Sequence, residues 1–270
     1  MRDANPFHLG RGDTGPVQQS SVTCGSACLT VARMLVGPEF GQWIVSGVDP
    51  KGGPVDARSE AERFAEHERQ VMDRTNGIRA AGGKLNVPWP RALGTPPWGA
   101  EKELKYGAAR SGAAYEMRLV RFGSSDALRT VHRDLARLVR DGLPALVYIG
   151  NAWTPRHVTL VLPCEGDADS HCGGGADGRG GGGADGRDDG RDDGRDDGGG
   201  GGDGGGGGDG GGGGDGGGDD HGGLDVYDPA TGSVTALDPE RFASRALGIA
   251  GWNVPWITVQ PRPLSAPNTA

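Results

Sequence analysis

The sequence predicts an α+β fold, in which helices come first and an antiparallel sheet follows. Helical periodicity prevails up to residue 111, and short apolar runs that are typical of strands follow from residue 114. Helices that precede the strands, instead of alternating with them, favour α+β over a parallel α/β sheet. A tract at 167–220 interrupts the strand-forming half with 29 Gly and 15 Asp, and it has almost no apolar residue to bury.

The helices are predicted from the spacing of apolar residues and from signals at their ends. The first has a broad apolar face and is ended by Gly37-Pro38, and the second is highly charged. Proline and tryptophan residues at 87–98 then predict a rigid, extended segment. Ser124 or Ser125 can cap the last helix. The predicted helices cover residues 24–36, 56–75 and 99–111, and a fourth runs from the serine cap to residue 140.

Short runs rich in β-branched and aromatic residues predict the strands of the sheet. They cover residues 114–122, 145–149, 157–162, 224–227, 233–237 and 256–259. The Gly/Asp tract falls between the third and fourth runs, which would be neighbours in a hairpin. A loop can lengthen there at modest entropic cost, because the closure entropy grows only with the logarithm of loop length.

The composition predicts one globular domain that carries one insertion. Residues 1–15 are assigned to an N-terminal tail, 16–166 and 221–262 to the domain, 167–220 to a disordered insertion, and 263–270 to a C-terminal tail. The domain is long enough to bury a full hydrophobic core.

Charge and hydropathy argue against nucleic acids and membranes as partners. The net charge is −8, but the tract alone holds 15 Asp against 4 Arg, so the other residues carry a small positive charge. A nearly neutral domain gives no reason to propose nucleic-acid binding. No run approaches the ~20 apolar residues of a membrane span, and the polar start lacks the apolar core of a signal peptide. We therefore expect a cytoplasmic protein, whose oligomeric state the sequence does not indicate.

The four cysteines are too few for a disulfide scaffold in a chain of 270 residues. A reducing compartment also suits a free, reactive thiol. Cys164 and Cys172 could pair with each other or bind a metal ion together with His171, but two ordinary thiols are the preferred interpretation. No metal ion and no cofactor is predicted.

Residues suited to nucleophilic catalysis occur in the order Cys, His, Asp. Cys24 begins the first helix, where backbone N–H groups and the helix dipole favour a thiolate, although it could be a buried small residue, as Cys28 is expected to be. Unlike the other five histidines, His157 opens an apolar strand after a loop. Asp228 or Asp225 could orient the imidazole. Side chains alternate along a strand, so these two aspartates face opposite ways and only one can serve.

These residues and their neighbours resemble the papain-like cysteine peptidases, in particular the bacteriocin-processing, double-glycine peptidase family. The resemblance lies in the segment Cys24-Gly25-Ser26-Ala27-Cys28-Leu29, in His157 before an apolar strand, and in Asp228-Pro229. Such peptidases also place a glutamine six residues before the nucleophile, where this chain has Gln18. The resemblance implies that Cys24 is the nucleophile, that His157 is base and acid, and that Asp228 orients the imidazole. The Gln18 amide and the Cys24 backbone N–H would hold the oxyanion.

The resemblance covers roughly residues 16–37 and 142–240. It implies a papain-like fold, in which the N-terminal helices carry the nucleophile and pack on a C-terminal antiparallel sheet. Residues 38–120 have no counterpart, and we expect the walls of a substrate groove to come from them. Asn151 and Trp153, shortly before His157 in the sequence, are candidate groove residues, and a plain loop is an equally good interpretation of them.

Three functions are compatible with these residues. A thiol hydrolase that cleaves a peptide or isopeptide bond of a peptide or protein substrate is the leading hypothesis. Transglutaminases and arylamine acetyltransferases share the order Cys, His, Asp, so an acyltransferase of transglutaminase type is the second. A catalytically silent, papain-like binding module is the third.

Overall fold

A computed structural model describes residues 7–108, 113–163 and 223–262, and all of them belong to one compact unit. The predicted insertion at 167–220 lies outside the described residues, as do the two cysteines and the histidine at its start. The helices of the described part are α1 (Cys24–Val36), α2 (Pro38–Ser46), α3 (Glu60–Asn76), α4 (Pro97–Glu103), α5 (Ser125–Val139) and α6 (Pro239–Ser244). None of these helices is long and apolar enough to cross a membrane.

The strands form one sheet in which every neighbouring pair is antiparallel, so the predicted α+β class is confirmed. The strands are β1 (Tyr115–Leu119), β2 (Ala145–Gly150), β3 (Pro155–Val161), β4 (Leu224–Tyr227), β5 (Val234–Leu237) and β6 (Val254–Pro261). Their order across the sheet is β1-β6-β2-β3-β4-β5. The third and fourth strands are indeed neighbours, with Leu160 opposite Tyr227 and Val161 opposite Val226.

The two faces of the sheet bury two separate cores. Side chains alternate along a strand. On β2, Leu146 and Tyr148 therefore pack with α1, whereas Val147 and Ile149 pack with the core beneath α5 and α6. This double burial explains why β2 is apolar throughout instead of alternating with polar residues.

Helix α1 is the central helix of the first core, and its bounds coincide with the predicted ones. Nearly all of its residues are buried, because it packs against α3, α2 and strand β3. Helix α2, which the sequence did not predict, begins directly after it. Pro38 ends α1 but stands in the first turn of α2, where its missing N–H and fixed φ are tolerated.

Helix α3 begins at Glu60, later than the residue 56 predicted, because Ser59 and Glu62 form a capping box there. The Ser59 side chain accepts from the Glu62 N–H, and the Glu62 carboxylate accepts from the Ser59 N–H at 2.8 Å. The predicted extended segment 87–98 is likewise shorter, since α4 begins at Pro97.

Residues 7–15, which the sequence assigned to a tail, lie against the β4–β5 hairpin. Phe7 is buried, Thr14 forms a β-bridge with Ser233, and Arg11 forms a 2.7 Å ion pair with Asp225. These contacts are distant in the sequence, so the local composition of the segment did not indicate them. The segment leads the chain along the hairpin to the start of α1.

Candidate active site

Cys24 is the first residue of α1 and lies at the junction of the helix and the sheet. Its side chain is buried, with 5% of the residue exposed. The N-cap residue Thr23 makes no side-chain hydrogen bond to the helix, because its hydroxyl donates to the Ser20 carbonyl oxygen instead. The N–H groups of the first turn therefore have no side-chain acceptor at the cap, and they can act on negative charge that develops near Cys24.

His157 on β3 stands between Cys24 and Asp228. Its Nε2 donates to Asp228 Oδ1 at 2.7 Å, and Cys24 lies within hydrogen-bonding reach of the same imidazole. Since Nε2 is engaged by the carboxylate, the nitrogen that remains for the thiol is Nδ1. The structure thus brings together the three residues that the sequence proposed as nucleophile, base and orienter.

A tight turn after β4 fixes Asp228. Its Oδ1 also accepts from the Ala230 N–H at 2.9 Å, and its backbone carbonyl accepts from the Gly232 N–H at 2.8 Å. Gly232 has φ +76°, and a side chain there would come within 2.4 Å of the Gly15 carbonyl oxygen, so the turn requires glycine. The carboxylate is therefore held in one orientation independently of His157.

Burial and hydrogen bonds set the charges of this pair. Burial alone lowers the pKa of His157, but the hydrogen bonds with Asp228 and Cys24 outweigh it and raise the pKa to about 9. Burial alone raises the pKa of Asp228, but hydrogen bonds from His157 and the Ala230 N–H hold it below its usual value. At neutral pH the pair is an imidazolium and a carboxylate, and the imidazolium faces the Cys24 thiol.

The structure separates the two candidate orienters. Asp225 pairs with Arg11 on the surface, whereas Asp228 contacts the imidazole. Strand β4 ends at Tyr227, so the turn that follows it, and not alternation along the strand, sets the direction of Asp228.

Gln18, the proposed oxyanion donor, lies beside the Asp228 turn. Its backbone N–H donates to the Pro229 carbonyl oxygen at 2.8 Å. Its side-chain Oε1 is buried and has no partner among the described residues. Gln18 is not among the residues that line the cavity at Cys24, which has a volume of about 620 Å³.

That cavity places Cys24 and His157 in the wall of an open groove. Its other walls come from the loop before α4, from α4 and from the sheet floor, and they are largely apolar. They include Trp89, Leu93, Pro96, Trp98, Tyr148 and Ile257. Residues between Trp89 and Trp98 supply the part of the wall that was expected from the region 38–120, and the other lining residues come from the start of α1, the sheet and the turn before β3.

The groove wall is hydrogen-bonded to the first turn of α1. The Thr95 hydroxyl is 3.1 Å from that of Ser26, and the Thr95 carbonyl accepts from the Tyr148 hydroxyl at 3.1 Å. A side chain at Gly25 would come within 2.6 Å of Thr95, so the close approach of loop and helix depends on this glycine. The residue types at 95 and 148 gave no signal of this role, because the contacts connect distant parts of the chain.

Asn151 and Trp153 do not line the cavity. The Asn151 Oδ1 accepts from the N–H groups of Trp153 and Thr154, which shapes the β2–β3 turn, and its backbone carbonyl accepts from the Trp256 indole. Trp153 is 87% exposed. In the structure these residues form a plain turn, which was the alternative interpretation of this segment.

Cys28 stands one turn after Cys24 and is fully buried. Its thiol donates to the Val158 carbonyl at 3.4 Å, and burial raises its pKa well above the usual value. Among the described residues, Cys24 and Cys28 are free cysteines, and no three His, Cys, Asp or Glu side chains are grouped so that they could hold a metal ion.

Comparison with known proteins gave no relative. No family model, no curated protein and no solved structure matches the chain.

Proposed function

We propose that the protein is a thiol hydrolase of papain-like type that cleaves a peptide or isopeptide bond. The observation that carries this proposal is the series Cys24–His157–Asp228, in which His157 is hydrogen-bonded to Asp228 and lies next to Cys24. The series is buried, and Cys24 and His157 stand in the wall of an open groove. An imidazolium beside a thiol stabilises the thiolate, which is the nucleophilic form of cysteine. The free cysteines of the described residues, Cys24 and Cys28, also suit a reducing compartment, so a cytoplasmic location is part of the proposal.

The geometry supports a two-step reaction. The Cys24 thiolate attacks the substrate carbonyl carbon, and the carbonyl electron pair moves to oxygen. The oxyanion is held by backbone N–H groups of the first turn of α1, and the resemblance to papain-like peptidases adds the Gln18 amide as second donor. When the C–N bond breaks, His157 Nδ1–H gives its proton to the leaving amine, and an acyl-enzyme remains.

The second step returns the enzyme to its starting state. Water attacks the acyl-enzyme while the now neutral His157 takes a proton from it, and the C–S bond breaks to release the carboxylic acid and the thiolate. Throughout, Asp228 holds Nε2–H and keeps Nδ1 directed at the sulfur. No cofactor is needed for either step.

The groove favours a substrate with a bulky apolar side chain near the scissile bond. Trp89 and Trp98 pack edge to face, with ring centroids 5.1 Å apart, and their wall offers apolar surface that a glycine could not use. The double-glycine specificity of the family that the sequence resembles therefore has less support in this groove than an apolar peptide.

The test is hydrolysis of a library of internally quenched peptides by wild type and by Cys24→Ala. We expect the variant to lose at least about a thousandfold in kcat/KM, because no other thiol of the described residues lines the groove. Cys28→Ala is the matched control and should retain most activity. Unchanged hydrolysis by Cys24→Ala would rule out the proposal.

The same experiment separates the alternatives. If added amines outcompete water for the acyl-enzyme, the protein is an acyltransferase of transglutaminase type. If no acyl-enzyme forms and the groove still binds peptides, it is a papain-like binding module.

A further inference from the structure

Glu68 on α3 is a fully buried carboxylate outside the Cys24–His157–Asp228 series. Its two oxygens accept from the Gln19 backbone N–H at 3.3 and 3.2 Å, and the Thr23 hydroxyl also lies within hydrogen-bonding reach. Burial of a carboxylate is unfavourable unless donors converge on it. Here the donor is the Gln19 N–H, which belongs to the segment 18–23 that leads into the candidate nucleophile.

The two peptide units on either side of Gln18 are each held by a hydrogen bond. On one side, the Gln18 N–H donates to the Pro229 carbonyl, which belongs to the turn that also fixes Asp228. On the other side, the Gln19 N–H donates to Glu68. The backbone of Gln18 is thus fixed between β4 and α3.

The Gln18 side chain depends on this fixation. Its Oε1 is buried without a partner among the described residues, so no hydrogen bond of that oxygen orients the amide. The hydrogen bonds that hold this residue in place are those of its own backbone N–H and of the N–H that follows it. A donor to an oxyanion must be placed in advance, because a small displacement removes much of its effect.

We propose that Glu68 is a positioning residue that holds the Gln18–Gln19 peptide and thereby places the Gln18 amide for the oxyanion. This inference rests on the proposed function. Glu68 itself does not touch the substrate. It acts through Gln18, so its effect on catalysis should vanish when the Gln18 amide is absent.

A double-mutant cycle tests this dependence. Glu68→Gln retains the size of the side chain but removes its charge and replaces one of the two accepting oxygens by an NH₂ donor. It should lower kcat about 10- to 100-fold with KM within about twofold, because oxyanion contacts form only in the transition state. In a Gln18→Ala background the same substitution should change kcat less than about twofold. Glu66→Gln, at a half-buried position on the same helix that pairs with Arg69, is the matched control.

A KM-only effect of Glu68→Gln, or an equal loss of kcat in both backgrounds, would overturn the inference. A measurement that needs no activity keeps it testable if Glu68→Gln is unstable or if the protein hydrolyses no peptide. Amide hydrogen exchange at 16–24 should be faster by about tenfold or more in Glu68→Gln and Glu68→Leu, and unchanged in Glu66→Gln. Equal exchange in all variants contradicts the inference, whereas absent hydrolysis by wild type contradicts only the proposed function.

Discussion

His157 is the residue on which the proposed chemistry depends most, because it must be charged in one step and neutral in the next. Its pKa of about 9 makes the imidazolium the resting form at neutral pH. The proton that protonates the leaving amine is therefore already present when a substrate binds. The raised pKa depends on the hydrogen bonds with Asp228 and Cys24, since burial alone would lower it.

Asp228→Asn should shift the alkaline limb of the pH profile. In wild type we expect kcat/KM to fall as pH rises through about 9, because His157 then loses the proton it must donate. The asparagine removes the charge that raises the pKa of His157, so the limb should move to lower pH, with kcat lower by about 10²–10⁴-fold. The measurement is the pH dependence of kcat/KM between pH 5 and 10 for both proteins.

Asp225→Asn is the control, because this aspartate pairs with Arg11 away from the groove. It should leave the limb in place. An unshifted limb in Asp228→Asn would show that the carboxylate does not control the charge of His157.

At the scale of elements, α3 connects the parts of the site. Its His67 accepts from Arg33 of α1, its Glu68 accepts from the segment that leads to Cys24, and its Asn76 donates to the Gly94 carbonyl in the groove wall. The sequence predicted this helix as highly charged with few apolar positions. Several of those polar residues are buried, because they serve as hydrogen-bond partners of neighbouring elements.

Trp98→Ala in α4 tests the role of the groove wall. The indole lines the cavity and donates to the Val87 carbonyl at 3.1 Å. We expect KM to rise about 3- to 30-fold for peptides with a bulky apolar residue and to change little for glycine peptides, because the variant loses apolar contact surface. Trp153→Ala, at an exposed turn, should leave both values unchanged. An equal effect on both peptide classes would contradict this assignment of the wall.

The sequence allowed prediction of the elements with strong local signals. The bounds of α1 followed from a continuous apolar face and a Gly-Pro stop, and most strands from short β-branched runs. Helix α2 was not predicted, because Pro38 was interpreted only as the end of the preceding helix. Proline is also tolerated in the first turn of a helix, which is where Pro38 stands in α2. Helix α6 was missed because it is only six residues long.

The candidate site was predictable to the extent that its chemistry depends on rare residue types. Cys24, His157 and Asp228 could be chosen because few residues of each type stand at the edge of an apolar element. Thr95, Trp98 and Glu68 could not, since their positions result from contacts between segments far apart in the sequence. Propensity and periodicity carry no information on such contacts.

At the scale of the whole molecule, His67 makes the stability of the first core depend on pH. Arg33 donates to its Nε2 at 3.0 Å, so Nδ1 carries the proton and faces the Thr30 hydroxyl at 3.3 Å. Burial, and then the charge of Arg33, lower the pKa of His67 to about 3. The neutral ring is therefore part of the folded core.

Acidification should destabilise the protein through this residue. A histidine whose folded pKa is lowered contributes stability that is present above the unfolded value of 6.5 and is lost as pH falls toward 3. We expect the free energy of unfolding, measured with urea, to fall by up to about 1.4 kcal/mol for each pH unit below pH 6.5. His67→Gln should remove this slope, and His8→Gln at the surface should retain it. Equal slopes in wild type and His67→Gln would refute the prediction.

The most direct test of the central claim is the rate at which iodoacetamide modifies Cys24, measured between pH 6 and 8 by mass spectrometry in wild type and His157→Ala. Buried Cys28 serves as the internal reference. The proposed ion pair predicts that Cys24 of the wild type is modified rapidly across this range and that Cys28 is hardly modified. In His157→Ala, which lacks the imidazolium, the modification of Cys24 at pH 7 should be slower by at least about tenfold. Equal rates for Cys24 in the two proteins would contradict the thiolate–imidazolium pair and, with it, the proposed hydrolase.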